Sequence, residues 1–571
     1  MKLLVSPEEV WFQIALPGES KDVLKRYKKM TDVEKGALRS KAASLYQEQS
    51  RKYRTSKSMT PADREWLETV LKEGTTSDKV SAMLLQVQEC PFYGLDWIAK
   101  LLVMASSDSR HESFPAMEAL RDVFCQILPP RALNRPLLAW SARVMTDDKE
   151  LTPASALLLF YFEDVLKQSY MEYLKLLEIL LHDNLSNCRE RAMRSLYELC
   201  LADKLEHGEA ALRLLVNKLG DPERKIASRV VYYLQCIVEK NEHLTLPIAK
   251  MVQNEAVRPN GANDKLAFYG LTFFSQVRLN EDSPEVTEVL LDTYQQHLQL
   301  FLKKLEETAS AKRKQLKTRK RRRPDDDNGQ SEEDEVPRTV KVVLTGLTRA
   351  IPFARSSGAN SVGEYAKKLV AIAGKIRSYP TLLQAISLVF QIFALGEAAT
   401  DESLQILSEI CCKYLLDYSR LAETTASHPK LFKILYKIFC AMGECSLASA
   451  STHLGRIVAA MLDVSVMVSN AAFPAAALLL VNEAFSMKPG LRLAITFPED
   501  ETEGENKKIG CFWHLNALTK HYHPTVVRYA KTLLPTGDLI DIGNEPDDPF
   551  TAMSSSAFLD SLIDGSLLKA A

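Results

Sequence analysis

The 571-residue sequence predicts an all-α fold: a solenoid of repeated helix pairs interrupted by a disordered charged linker. Three observations lead there. The chain is 46% hydrophobic and 25% charged, with Leu and Ala runs and little Val/Ile/Thr alternation, which is the pattern of helices and not of strands. One device recurs, a polar or aromatic residue followed by proline and an amphipathic run. Between the apolar stretches lies one block, KRKQLKTRKRRRPDDDNGQSEEDEVPR at 312–338, with almost no apolar residue.

The proline device fixes the helix starts. It appears as FPAMEALRDVF, DPERKIASRVVYYL, YPTLLQAISLVFQIF, HPKLFKILYKIFCAM, FPAAALLLVNEAF and HPTVVRYAKTLL. Proline in the first turn has its φ already set and gives up an N–H that has no helical partner there. The residue before it is pushed to extended backbone, which marks the boundary. Pro380, Pro429, Pro474 and Pro524 recur at intervals of roughly 45–50 residues. Asp183 and Asp221 open two similar units roughly 40 residues apart. Units of that length are the period of HEAT and armadillo repeats, whose helix pairs bury their apolar faces by stacking on neighbours. The predicted organisation is a basic helical segment at 1–59, a repeat block at 60–305, the linker at 306–338, a second repeat block at 339–535, and a tail with a short helix at 536–571.

In the first segment, Tyr27, Tyr46 and Tyr53 interleave with Lys and Arg over 21–58. Aromatic and cationic residues on one helix can track a nucleic-acid backbone. An exposed helix with a tyrosine-bearing packing face reads equally well. In the linker, nine cations (Lys312, Arg313, Lys314, Lys317, Arg319, Lys320, Arg321, Arg322 and Arg323) precede seven acidic residues at 325–335. Such a block cannot offset its ordering entropy by burial. Its cation density reads as nuclear or nucleolar targeting, with RNA contact compatible. The acids behind it could mask it or bind basic proteins. The whole-chain net charge of -1 conceals this asymmetry.

The stretch CFWHLNALTKHYHPTVVRYAKTLL gathers Cys511, His514, His521 and His523. Zinc ligands favour C-x2-C or H-x3-H spacing, which this stretch lacks. A helix from Pro524 would bury Val526, Val527, Ala530, Leu533 and Leu534 and expose Arg528 and Lys531, with His523 in the preceding turn. Leu515 and Leu518 share a face upstream. The expected arrangement is therefore a polar corner between two packed helices, with no metal. No GxxxxGK[ST], G-x-S-x-G, HExxH or GxGxxG occurs, so neither a catalytic constellation nor a cofactor is expected. LVNKLGDP at 215–222 holds a single glycine and suits a helix end, not a phosphate cradle. The ten scattered cysteines form no CxxC and most sit on apolar faces, as in a reducing compartment. MKLLVSPEEVWFQ has no leader-like apolar stretch, and AAFPAAALLLVNEAF is too short to span a bilayer. A soluble intracellular protein is expected.

Several phrases resemble the CCAAT-binding-factor family, in its nucleolar complex protein one branch. They are GTTSDKVSAMLLQVQ (74–88), LVNKLGDPERKIASRVVYYL (215–234), VLTGLTRAIPFA (343–354), FWHLNALTKHYHPTVVRYAKTLL (512–534) and PFTAMSSSAFLD (549–560). They fall in family order from about Trp11 to Asp560. Thr348 stands where the family usually has Asn, and FLDSLIDGSLLKAA lacks the aromatic and basic residues usual after FLD. The long charged extensions common in the family are not part of this sequence, so contacts that those extensions make are expected here only where the 312–338 linker substitutes for them. The resemblance implies a non-enzymatic helical scaffold of the nucleolus for large (60S) ribosomal subunit biogenesis. It would pair with a second nucleolar complex protein and accompany early large-subunit precursor particles, contacting pre-ribosomal RNA. It also implies that residues 380–535 carry the partner contacts. No membrane and no small-molecule substrate are expected as partners. A DNA-associated transcription co-activator would need a groove-reading element, and none is visible. A solenoid transport receptor would not need the dense basic block.

Overall fold

In a computed structural model of the chain, the described residues are 3–13, 32–56, 61–131, 133, 153–203, 206, 208–258, 264–280, 284–319, 338–353, 369, 373, 376, 378–395, 401–445, 448–489, 491 and 513–534. Ordered structure among them is helical, and no helix is long and apolar enough to cross a membrane. The chain divides into two compact units, one ending at Val277 and the other starting at Arg278.

In the N-terminal unit the helices are α1 (Asp32–Ser56), α2 (Pro61–Glu73), α3 (Thr76–Glu89), α4 (Leu95–Ala105), α5 (Arg110–Ile127), α6 (Pro153–Leu181), α7 (Ser186–Leu201), α8 (Gly208–Asn217), α9 (Arg224–Lys240), α10 (Thr245–Glu255) and α11 (Asp264–Gln276). They form a two-layered, HEAT/armadillo-like stack. One layer runs α3, α5, α7, α9, α11, each packed on the next. Opposite it, α6 packs on α1 and α4, and α8 packs on α10. The start of α3 is a capping box: the Thr75 hydroxyl accepts from Asp78 N while the Asp78 carboxylate accepts from Thr75 N. Successive layer helices are also joined by charge. Arg110 pairs with Asp183, Arg191 with Glu118 at 2.8 Å, and Lys225 and Arg229 both reach Glu190.

The C-terminal unit holds α12 (Pro284–Arg319), α13 (Arg338–Ala350), α14 (Tyr379–Leu395), α15 (Asp401–Ile410), the short α16 (Tyr418–Glu423), α17 (His428–Glu444), α18 (Ala448–Met467), α19 (Ala472–Met487), α20 (Trp513–Leu518) and α21 (Pro524–Leu533). A π-helical turn, Cys411–Leu415, extends α15. One layer runs α12, α13, α14, α17, α19, α21. The other runs α15, α18, α20. The four periodic prolines thus head α14, α17, α19 and α21, equivalent helices stacked side by side. The core of this layer includes Leu382, Ile386, Leu431, Leu435, Phe473, Leu478 and Val526, all sealed from water. Burial at about 25 cal/mol per Å² of apolar surface is the main stabilising term for such a stack.

Three boundaries differ from the sequence prediction. At FPAMEALRDVF the helix starts at Arg110, so Pro115 lies inside α5. Ser109 supplies the start, and RHES is polar but helix-permissive, so the proline falls in the second turn. Near DPERKIAS, α9 begins at Arg224 and Pro222 stays in the turn. Finally, α12 continues to Arg319, past residue 306 where the linker is expected to begin, and packs on α13 within the second unit. Its extension ETASAKRKQLKT consists mostly of good helix formers. Residues 320–337 and the 536–571 tail lie outside the described residues.

Candidate functional site

The basic N-terminal helix packs inward. Tyr46 is buried, donates its hydroxyl to Phe92 O at 2.8 Å and accepts from Leu95 N at 3.3 Å. Tyr53 stacks on Tyr93 with ring centroids 4.8 Å apart and an interplanar angle of 18°. Burial raises all three phenols, Tyr93 to about 12. The cations are partly neutralised: Arg54 pairs with Asp96 at 2.6 Å, Lys52 with Glu48, and Arg39 donates to Gln168 at 2.7 Å beside Asp164. The Tyr46 ring is a core residue and Tyr53 is half-buried against Tyr93, so this helix uses both tyrosines as a packing face. Tyr27 lies outside the described residues.

The histidine corner resolves into separate contacts. Nε2 of His514, on α20, pairs with the Asp463 carboxylate of α18. His523 caps α21 with extended backbone, as its place before Pro524 predicts. Its N–H donates to Nδ1 of His521 at 3.1 Å. Burial holds both His521 and His523 below the usual imidazole range. Val526, Ala530 and Leu533 are buried, Val527 and Leu534 are half-buried, and Arg528 and Lys531 are exposed, close to prediction. Among the described residues no three His, Cys, Asp or Glu side chains converge as a metal site. Cys511 lies outside them.

Of the nine linker cations, Lys312, Arg313, Lys314, Lys317 and Arg319 fall on the last turns of α12. Lys320, Arg321, Arg322 and Arg323 lie outside the described residues. In the second repeat block the apolar residues close on one another. Twelve of the sixteen residues of α19, Ala472 to Phe485, are buried between α17, α18 and α21. The apolar text of 471–485 is therefore core. Among the described residues of this unit, the large apolar side chains left exposed are Tyr418, Tyr436, Met467 and Tyr522.

Against known proteins, no family model matches the chain. An uncharacterised protein of Schizosaccharomyces pombe is 30% identical over 449 residues, covering 76% of this chain and 50% of the relative. Ribosome biogenesis protein NOC1 of Chaetomium thermophilum is 25% identical, covering 87% of this chain and 52% of the relative. Human CCAAT/enhancer-binding protein zeta is 23% identical, covering 98% and 56%. These relatives are the ones that a resemblance to the CCAAT-binding-factor family predicts. The chain spans about half the length of the curated relatives it matches. Among solved structures, Kap121p superposes over 97% of this chain with a TM-score of 0.34 and 13% identity. The repeat architecture rests on the stacked helix pairs described above.

The family phrases acquire physical roles. In GTTSDK, Thr75 and Asp78 are the capping box of α3. In LTGLTRAIPF, Gly346 of α13 lies against the fully buried ring of Tyr294 on α12, where an added Cβ would overlap the phenol. In LGDPERK, Asp221 meets Arg189 of α7 in a buried pair, Nε to Oδ2 at 3.1 Å and Nη2 to Oδ1 at 3.3 Å. The same guanidinium donates to the Asp183 and Asn184 carbonyls at 2.9 Å and to Glu223 at 3.2 Å. Sequence reasoning missed this network. Its one trace is the aspartate that opens each of two successive units, Asp183 and Asp221.

Proposed function

We propose that the chain is a non-enzymatic nucleolar assembly factor for the large (60S) ribosomal subunit. It works by binding alone: the stacked helices present long faces, one to pre-ribosomal RNA and one to a second nucleolar complex protein in a heterodimer. The observation that carries this is the similarity to relatives named for ribosome biogenesis and for the nucleolar complex, in a chain built of stacked helix pairs. The reading is consistent with the run Lys312–Arg323, which we assign to nuclear targeting with RNA contact, and with residues 380–535 as the partner-binding block. A nuclear and nucleolar location follows from the same relatives.

The test is affinity purification of the tagged protein from nuclear extract at low and high salt, reading out proteins and RNA. Recovery of large-subunit precursor RNA and one nucleolar complex protein is expected. The RNA should fall away with salt while the partner remains, because phosphate contacts are salt-sensitive and apolar interfaces are not. Recovery of promoter DNA or import cargo in their place would overturn the assignment.

A further inference from the structure

We infer that the outward face of α17 is a docking surface for the RNA phosphate backbone. This deepens the function proposed above and rests on it. Helix α17 packs sideways on α14 and α19 and inward on α18, burying Leu431, Ile434, Leu435, Ile438, Phe439 and Met442. What it leaves outside is Lys430, Lys433, Tyr436 and Lys437, all exposed. The three lysines climb one helix face over about 10 Å. None of them has an ion-pair partner among the described residues. In the N-terminal unit several surface cations, Arg54, Lys52, Arg191, Lys225 and Arg229, are bound to carboxylates of the same chain.

Cations that no described carboxylate pairs repel each other along one face, and a bound polyanion would relieve that repulsion. Cys440 raises the Tyr436 phenol, with a smaller contribution from the charge of Glu483 on α19, which is half-buried. One half-buried carboxylate does not balance three lysines. Two positions along the same layer, α21 adds Arg528, lying over the Tyr529 ring, and Lys531. Tyr436 is 49% exposed among the lysines. An accessible ring flanked by cations is the pairing that single-stranded RNA uses, bases on the aromatic and phosphates on the lysines. An acidic protein tail would use the charges and leave the ring idle.

The test uses the full chain and a labelled single-stranded RNA of about 20 nucleotides, followed by fluorescence anisotropy across a salt series. Lys430→Glu/Lys433→Glu/Lys437→Glu is expected to lose tenfold or more in affinity and to lower the log K against log salt slope by about 2. Tyr436→Ala is expected to lose about fivefold or more with the slope unchanged. Lys175→Glu/Lys240→Glu/Lys250→Glu, with the same charge change in the other unit, is expected to bind as the wild type does. Wild-type affinity in the α17 variant, or an equal loss in both triple variants, would overturn the docking surface and leave the proposed function standing. A wild-type chain that binds no RNA would sink both. Tyr436→Ala at full affinity would refute the stacking role. All substituted side chains are exposed, and circular dichroism melts should coincide with wild type.

Discussion

Replacing Arg189 by methionine removes the cation from a pair whose acid is sealed from water. The Asp221 side chain has 0% exposure and that of Arg189 has 7%. After the change, Asp221 keeps the N–H of Glu223 at 3.0 Å and a looser Lys218 ammonium at 3.7 Å. Burial already lowers the Lys218 pKa, so it is a weak substitute. Breaking a buried pair from one side typically costs about 3–5 kcal/mol. The remaining N–H and ammonium put this case at the lower end, about 3 kcal/mol. In a unit of this size that lowers Tm by about 6–12 °C. Thermal unfolding by circular dichroism measures the drop, and amide exchange should localise it to α7 and α9. Arg189→Met/Asp221→Asn leaves no orphaned carboxylate and is expected to regain most of the loss. Arg194→Ala, which breaks an exposed pair with Glu198 at 3.0 Å, should cost under about 0.5 kcal/mol. An Arg189→Met protein melting with wild type, or a double variant no more stable than the single, would refute the argument.

Gly346→Ala forces a methyl into the Tyr294 ring and is expected to destabilise the C-terminal unit by about 1–3 kcal/mol in urea titrations, whereas Tyr294→Phe stays near neutral. Burial holds His428 and His523 below their unfolded value, so both favour the neutral form in the fold. Their contribution is fully present above about pH 6.5 and is lost as pH falls through the depressed folded values. Melts between about pH 7.5 and 5 should show Tm falling on the acid side, less steeply in His428→Phe. Thr75→Ala removes the hydroxyl of the α3 capping box and should cost about 1 kcal/mol in the same denaturation assay.

Periodic prolines made the repeat legible because proline acts locally: it sets its own φ and restrains the residue before it. Hence Pro380, Pro429, Pro474 and Pro524 head stacked, equivalent helices. Pro115 misled because a favourable polar turn, beginning after Ser109, precedes it. The tyrosines of α1 stayed undecided in the sequence for a different reason. A ring at helical spacing among lysines looks the same whether α6 and the Phe92–Tyr93 turn cover it or solvent does, and only tertiary structure decides. Arg189 was invisible because its partner sits in the next unit, beyond any local window. The α17 lysines could be seen as exposed in the amphipathic pattern of HPKLFKILYKIF, but their lack of carboxylate partners could not.

Helix α19 bears on how this protein is made. It has scarcely any polar side, and its outer flank is closed by α21. A ribosome adding about 5–20 residues per second needs several seconds to go from Met487 to Leu533. Through that interval a sixteen-residue apolar helix waits without its last neighbour. A nascent chain halted before Pro524 would carry a sticky, half-covered plank, a target for chaperones and a seed for aggregation. The closing repeat therefore acts as a folding checkpoint, and lesions there should first appear as lost protein rather than as altered binding.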